Sequence, residues 1–154
     1  MSIKKLDGLV NTLSTYLDKK DVVNAAISKG SVGWHLQHSF MVVSKIIYAL
    51  KQSNPTDYKS KFSFIKTIVF TLNKIPRGRG KAPKVVLPND IITIDDLKKD
   101  KQTAIETINT LDTINANNYF LHPYFGNLKR KDTIKFLNIH TQHHLNIIND
   151  ILTK

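Results

Sequence analysis

One segment constrains the fold more than any other, because it predicts a long helix that is apolar on most of its sides. It opens with Ser31, a residue typical of a helix N-cap, and continues to about Gln52. Ser53-Asn54-Pro55 then indicates the end of the helix, because the residue before a proline disfavours helical geometry. A helix with so little polar surface is expected to lie at the centre of the protein.

Four further segments repeat apolar residues at helical spacing, and they cover residues 3–17, 59–74, 93–115 and 129–152. The third of these opens with Thr93 and Asp96, which form a capping box with Asp in the usual Glu position. In the segment 59–74 the spacing predicts that five apolar side chains face inward: Phe62, Ile65, Ile68, Val69 and Leu72.

Five helical segments with short links, and no credible strand, predict an all-α fold: a four-helix bundle with one additional helix or helical segment. The 154 residues are enough for one domain with a sizeable core, so we expect a single domain over residues 1–154. The sequence His-Pro-Tyr-Phe-Gly at residues 122–126 is interpreted as a turn whose aromatic rings close one end of the bundle. A catalytic role for His122 is the alternative.

The composition excludes several classes of protein. Cysteine is absent, which excludes disulfide bonds, a thiolate zinc site and a cysteine nucleophile. The polar N-terminus and the lack of a long apolar run predict no signal peptide, no membrane span and a cytoplasmic location. The net charge of +11 marks a basic protein, but its cations are scattered and no nucleic-acid-binding motif is recognisable. We therefore do not expect a nucleic-acid partner.

Two histidines in the last segment point to metal chemistry. His140 and His144 are four residues apart, so on a helix they lie one turn above each other on the same face. Leu137, Ile147, Ile148 and Ile151 share or flank that face, which indicates that both imidazoles point inward. They must then be satisfied there either by hydrogen bonds, as ordinary core histidines, or by a metal ion. Thr141 replaces the Glu of the His-Glu-x-x-His protease motif and argues against a peptidase of that type.

A third ligand could come from the central helix, which carries His35 and His38. The helical wheel leans slightly to His35, which lies beside Val42 and Ile46, but it does not decide between the two. The irregular stretch from Arg77 to Lys84 is the most basic part of the chain. It is interpreted either as an anion-binding loop or as a solvated connector.

Taken together, these motifs resemble the DinB superfamily of metal-binding four-helix bundles, and within it a branch that carries a "domain of unknown function" label. The resemblance covers nearly the whole chain and rests on four segments: residues 31–38, 81–84, 122–126 and 140–145. It implies a four-helix bundle of DinB type and a triad of His38, His140 and His144. The triad would hold a divalent zinc, nickel or iron ion, with water completing the shell. Characterised members include thiol S-transferases and a mycothiol-dependent maleylpyruvate isomerase. Residues 145–147 depart from the Arg-Gly-Gln that is usual after the last histidine.

The resemblance implies a metal-dependent enzyme that activates a thiol or water, of the S-transferase or hydrolase type. Its substrate would be a small thiol-bearing molecule, and the protein would form a homodimer. The basic stretch from Arg77 to Lys84 favours an anionic substrate instead or in addition. His35, His143 and His122 are expected beside the ligands or around the pocket. No residue stands out as catalytic, since Asp132 and Asp150 lie about two turns from the paired histidines. The alternative is a non-enzymatic bundle, with a structural metal or none, that acts through partners.

Overall fold

The computed structural model describes residues 1–78 and 82–154, and within them the protein is mostly helical. Five α-helices lie in these ranges: α1 (Ile3–Leu13), α2 (Val32–Gln52), α3 (Phe64–Leu72), α4 (Ile94–Asn109) and α5 (Arg130–Thr153). Two short strands, β1 (Tyr119–His122) and β2 (Gly126–Lys129), precede α5. The prediction of a helical fold is confirmed at this level.

Helix α2 lies at the centre of the described structure, as its apolar sequence predicts. It packs against α4 and α5, and α1 packs against the same two helices. Its inward residues are almost completely buried, among them Leu36, Phe40, Val43 and Leu50. The core therefore lies between α1, α2, α4 and α5, and α3 lies at its edge. Membership of the DinB type of bundle stays a prediction.

Local capping sets two of the helix starts where the sequence predicts them. The Ser31 hydroxyl accepts a hydrogen bond from the Trp34 backbone N–H at 3.1 Å, which satisfies one free donor at the start of α2. Thr93 and Asp96 form a complete capping box at the start of α4. Helices α1 and α4 are shorter than predicted, because 3₁₀ segments follow them at Ser14–Lys19 and Leu111–Thr113.

The prediction for residues 59–74 is wrong in two respects. Helix α3 begins only at Phe64, and of the five residues expected to face inward only Val69 is buried. The other four are exposed: Phe62, Ile65, Ile68 and Leu72. Spacing shows that these side chains share a face, but it cannot show that another element covers that face.

The expectation of no strand is also wrong. Strands β1 and β2 pair antiparallel, with His122 opposite Gly126, so that the predicted turn at residues 122–126 is the turn of a β-hairpin. Gly126 has a φ of 73°, a left-handed conformation that glycine adopts without strain. Of the two aromatic residues in the turn, Phe125 is buried and Tyr124 is exposed.

Across residues 1–78 and 82–154, no helix combines the length and the apolar content that crossing a bilayer requires.

Candidate metal centre

Helices α2 and α5 bring three histidines together in the core. One ring nitrogen from each of His38, His140 and His144 lies within 4.8 Å of the other two, so the group could hold a metal ion. The helical spacing of four residues places His140 and His144 one turn apart, with their ring centres 4.6 Å apart and their planes tilted by 53°. Packing of α2 against α5 then places the His38 ring 4.8 Å from His144 and 5.2 Å from His140. The structure thus groups the three residues that the resemblance implies.

Burial keeps these three imidazoles in the neutral form, which is the form that binds metals. Burial away from water lowers the pKa of His140 and of His144 well below the ordinary value for histidine. The charges of neighbouring histidines lower both pKa values further. Burial also lowers the pKa of His38, although its hydrogen bond to the Val86 carbonyl acts in the opposite direction. At neutral pH the cluster therefore offers three ligand groups without first releasing protons.

The tautomer of His38 is fixed by the backbone. Its Nδ1 lies 2.8 Å from the carbonyl oxygen of Val86, and because a carbonyl can only accept, Nδ1 must carry the proton. The Nε2 atom of the neutral ring is then free of a proton and can serve as a ligand. Trp34 stacks on the same ring, with centres 4.9 Å apart and planes 18° apart. Sequence patterns gave no sign of this role for Val86, since a carbonyl is common to every residue.

His35 lies beside the triad rather than in it. Its Nδ1 lies 2.9 Å from Nδ1 of His144, and its Nε2 lies 2.9 Å from the Ser28 hydroxyl. Since one partner in each pair must donate, the arrangement that leaves Nε2 of His144 free has a proton on Nδ1 of His144 and another on Nε2 of His35. Burial lowers the pKa of His35 to about 4. The slight preference of the helical wheel for His35 as a ligand is not what the structure shows.

A close backbone approach places Ser28 next to His35. The Gly33 N–H donates to the Lys20 carbonyl at 2.8 Å, and Val32 N–H donates to the Val22 carbonyl at 3.0 Å. These bonds fold the chain before α2 back against the start of that helix. A Cβ atom at Gly33 would lie only 2.9 Å from the Lys20 oxygen, so glycine is required there. The Ser28 hydroxyl also accepts the Gly30 N–H at 3.1 Å, which fixes its position.

A buried, unpartnered ring nitrogen of His140 indicates whether a metal fits the cluster. This nitrogen, Nδ1, is fully buried and has no hydrogen-bond partner in the described structure, although an orphaned buried nitrogen is costly. Asn138 Oδ1 and Thr141 Oγ1 on the same helix are also unpartnered, but they do not belong to the triad. Three neutral imidazoles, one of them unsatisfied, suit a divalent ion of borderline softness such as zinc, nickel or iron.

The remaining two histidines lie outside the triad. His122 Nδ1 accepts the backbone N–H groups of Tyr124 and Phe125 at 3.1 and 3.2 Å. Its ring stacks on Phe125 at 4.1 Å and meets Phe136 edge-on, which fits the interpretation as a turn that closes one end of the core. His143 is only partly buried and its ring lies 5.2 Å from that of His144, a position at the edge of the cluster.

Both acidic residues of α5 form ion pairs. Asp150 binds the Arg77 guanidinium at 2.7 Å and the Lys154 ammonium at 3.0 Å, and Asp132 binds Lys66 at 3.3 Å. Burial lowers the pKa of His143 to about 4, and the charge of Arg77 lowers it further. Arg77 is held by Asp150, which lies about two turns after His143 on the same helix. The predicted basic loop is only partly visible, because residues 79–81 lie outside the described residues.

Comparisons with models of known protein families, with characterised proteins and with solved structures find no match to this chain. The resemblance to the DinB superfamily therefore stays a prediction. What the chain can do has to be argued from its own cluster of histidines.

Proposed function

We propose that this protein is a DinB-like, metal-dependent enzyme in which His38, His140 and His144 hold one divalent zinc, nickel or iron ion. The observation that carries the proposal is the convergence of three neutral imidazole nitrogens within 4.8 Å from two helices. Three protein ligands, rather than four, leave room for water or a substrate, which is the pattern of a catalytic site. When bound, such an ion supplies positive charge that acidifies a thiol or a water molecule.

The surrounding residues support an open, anion-attracting site. His140 keeps part of its surface accessible even though its Nδ1 is buried, so the cluster is not sealed from solvent. Arg77 provides a cation near His143 and His35, and its pairing with Asp150 holds the guanidinium in place. A small anionic or thiol-bearing substrate is the class that these features favour.

The chain's own residues would then act by binding and orienting. The Val86 carbonyl fixes the ring of His38, and Ser28 and His35 fix that of His144. Trp34 covers one face of His38 and limits the entry of water on that side. These contacts set the ligands before any ion binds, which lowers the cost of ordering them.

A second candidate function is a bundle with a structural metal or none, acting through partners. One observation favours it: Asp132 and Asp150, the two carboxylates nearest in sequence to the paired histidines, are both held in ion pairs. Neither is therefore free to act as a general base. Under this alternative the histidines contribute packing and hydrogen bonds only.

The test is the metal content of tag-free protein by elemental mass spectrometry, with affinity for zinc, nickel and cobalt measured by calorimetry. We expect about one ion per chain in the wild type, and loss of that ion in the double variant His140→Ala, His144→Ala. The matched control is His143→Ala, which changes a neighbouring histidine outside the triad. Wild-type protein that takes up no metal, or a double variant that binds as tightly as the control, would overturn the proposal.

Metal binding alone would not separate the enzyme from the structural bundle. The metal-loaded protein should therefore be screened for transfer of small thiols and for hydrolysis of small anionic esters. Turnover that is lost in the double variant and kept in His143→Ala supports the enzyme. A metal that raises thermal stability, with no turnover in either screen, favours the structural role.

A further inference from the structure

Helix α3 presents most of its apolar side chains to solvent. Phe64 and Leu72 are each 67% exposed, Ile65 is 54% exposed, and Phe62 just before the helix is 79% exposed. With Ile68 they form one surface, called here the α3 face. The opposite side of the helix holds it to the protein through Val69, Phe70 and Lys66, which contact the core, Phe125 and Asp132. The exposure therefore belongs to a docked helix and not to a detached segment.

The apolar surface continues onto the tip of the hairpin. A shallow pocket between the two is lined by Phe62 on one side and by Leu121 and Tyr124 on the other. Leu121 and Tyr124 are 67% and 52% exposed. The Ser63 hydroxyl donates to the Tyr124 carbonyl at 3.1 Å and ties the two parts together. A continuous exposed apolar patch of this kind marks an interaction surface on a folded protein.

The segment that carries this patch contains more cations than the helix needs for its own ion pairs. Residues 58–78 contain five cations and no carboxylate: Lys59, Lys61, Lys66, Lys74 and Arg77. Two of these, Lys66 and Arg77, pair with carboxylates on α5. Lys59, Lys61 and Lys74 are exposed and form no ion pair within the described residues. Lys61 lines the pocket beside Phe62, and Lys74 comes two residues after the end of α3 at Leu72. These lysines at the two ends of the α3 face are called here its basic rim.

We propose that the α3 face docks on an anionic lipid surface, with its apolar side chains inserted at the headgroup boundary and the rim lysines paired with lipid phosphates. Apolar residues on one side of a helix and lysines beside them are the features of helices that lie in a membrane interface. Phe62 borders the pocket at the hairpin, but the apolar side chains of α3 itself are exposed on the helix surface. Exposed side chains along a helix suit insertion among lipids better than the seating of another protein's side chains. A second copy of this chain would bring the same cations against these cations, at a net charge of +11 per chain.

The experiment is co-sedimentation of the full chain with vesicles of phosphatidylcholine alone and of phosphatidylcholine mixed with phosphatidylglycerol. The apolar variant is Phe64→Ser, Leu72→Ser, and the charge variant is Lys61→Glu, Lys74→Glu. The matched control is Lys4→Glu, Lys98→Glu, which makes the same change in net charge at exposed lysines outside the segment 58–78. Circular dichroism melts check that each variant is folded, and sedimentation velocity gives the oligomeric state.

We expect the wild type to bind the anionic vesicles only, and less at high salt. The apolar and the charge variants should each weaken partition by at least about tenfold, because each removes one half of the interaction, while the control stays near the wild type. No binding to anionic vesicles would overturn the proposal. Equal losses in the charge variant and the control would also overturn it, since they would indicate adsorption through net charge. A wild-type dimer that the apolar variant dissociates would show instead that a second copy covers the face.

Discussion

The histidine cluster and the α3 face depart from the usual distribution of residues in opposite directions. In the cluster, polar side chains lie in the core: His35, His38 and His144 are all less than a tenth exposed. On the α3 face, large apolar side chains lie in solvent, and Phe62 is 79% exposed. Buried polar groups and exposed apolar patches are the informative exceptions to the rule that apolar residues are inside. Because natural sequences depart from this rule mainly at functional sites, we propose a function for each region.

The two regions also differ in which of their groups lack a partner within the protein. In the cluster, His35 and His38 find partners in the protein and His140 Nδ1 does not. On the α3 face, no element covers the apolar side chains within the described residues. The histidine cluster contains a buried ring nitrogen without a hydrogen-bond partner, and the α3 face contains apolar side chains exposed to solvent. Each can be tested without the other.

The largest expected effect is on the free energy of unfolding, and it separates a buried phenylalanine from an exposed one. Phe40 is fully buried in α2, so Phe40→Ala should reduce the free energy of unfolding by about 3–5 kcal/mol. Phe64→Ala on the α3 face should change it by less than about 0.5 kcal/mol. Urea unfolding followed by circular dichroism measures both. If Phe64→Ala costs as much as Phe40→Ala, the α3 face is covered in solution and the comparison fails.

Next in size is the loss of a ligand from the cluster. His38→Ala should weaken cobalt or zinc affinity by at least about a hundredfold, because two imidazoles remain where three converge. Met41→Ala, on the same helix and outside the triad, is the control. Isothermal titration calorimetry on folded protein gives both affinities. Unchanged affinity in His38→Ala would remove this residue from the ligand set.

A smaller effect is expected from the residue that orients His144. His35→Phe removes the acceptor for Nδ1–H of His144, and we expect metal affinity to fall by about ten- to a hundredfold. Nitrogen chemical shifts of the ring should show His144 protonated on Nδ1 in the metal-free wild type. If the wild type carries that proton on Nε2 instead, the proposed orientation of the hydrogen bonds is wrong, whether or not the metal binds.

The smallest effect concerns acid sensitivity at the hairpin. Burial lowers the pKa of His122 to about 4, whereas an unfolded histidine titrates near 6.5. Between these values the unfolded chain binds more protons, so this contribution to stability is complete above about pH 6.5 and is lost as the pH falls toward 4.

His122→Asn keeps an acceptor for the Tyr124 and Phe125 N–H groups but cannot be protonated in this range. We expect its stability to fall less on acidification, by about 1–2 kcal/mol between pH 7 and 4.5, a value reduced from the full shift because the ring is partly exposed. The readout is the slope of unfolding free energy against pH, compared with the wild type. Parallel slopes would contradict a buried, neutral His122.

Sequence reasoning succeeded where structure is set by local chemistry. Ser31 and the pair Thr93 and Asp96 cap helices because their side chains reach backbone N–H groups three residues away. The spacing of His140 and His144 fixes their common face in the same way. Such relations need no knowledge of the rest of the chain, so they can be predicted from residues alone.

Sequence reasoning failed where the structure depends on contacts between residues that are far apart in the sequence. The apolar spacing predicts a helix that the structure contains at Phe64–Leu72, but no element in residues 1–78 and 82–154 covers its predicted inward face, which is exposed. The hairpin was not predicted, because each strand has only four residues and such short segments give no clear pattern of alternating residues. Ser28 contacts His35 from a loop, and the Val86 carbonyl contacts His38 from the 3₁₀ segment Lys84–Val86. No sequence pattern indicates such contacts. The role of Gly33 likewise depends on the distant Lys20 carbonyl.

The stacking of Trp34 on His38 has a practical consequence. Trp34 is the sole tryptophan of the chain, and its ring also meets His35 edge-on at 5.1 Å and lies 6.3 Å from His144. When the protein is excited at wavelengths that its five tyrosines absorb only weakly, its fluorescence therefore originates at the histidine cluster. It is an optical probe built into the fold, so that events at these rings can be followed in real time, in unlabelled protein, and separately from anything that happens on α3.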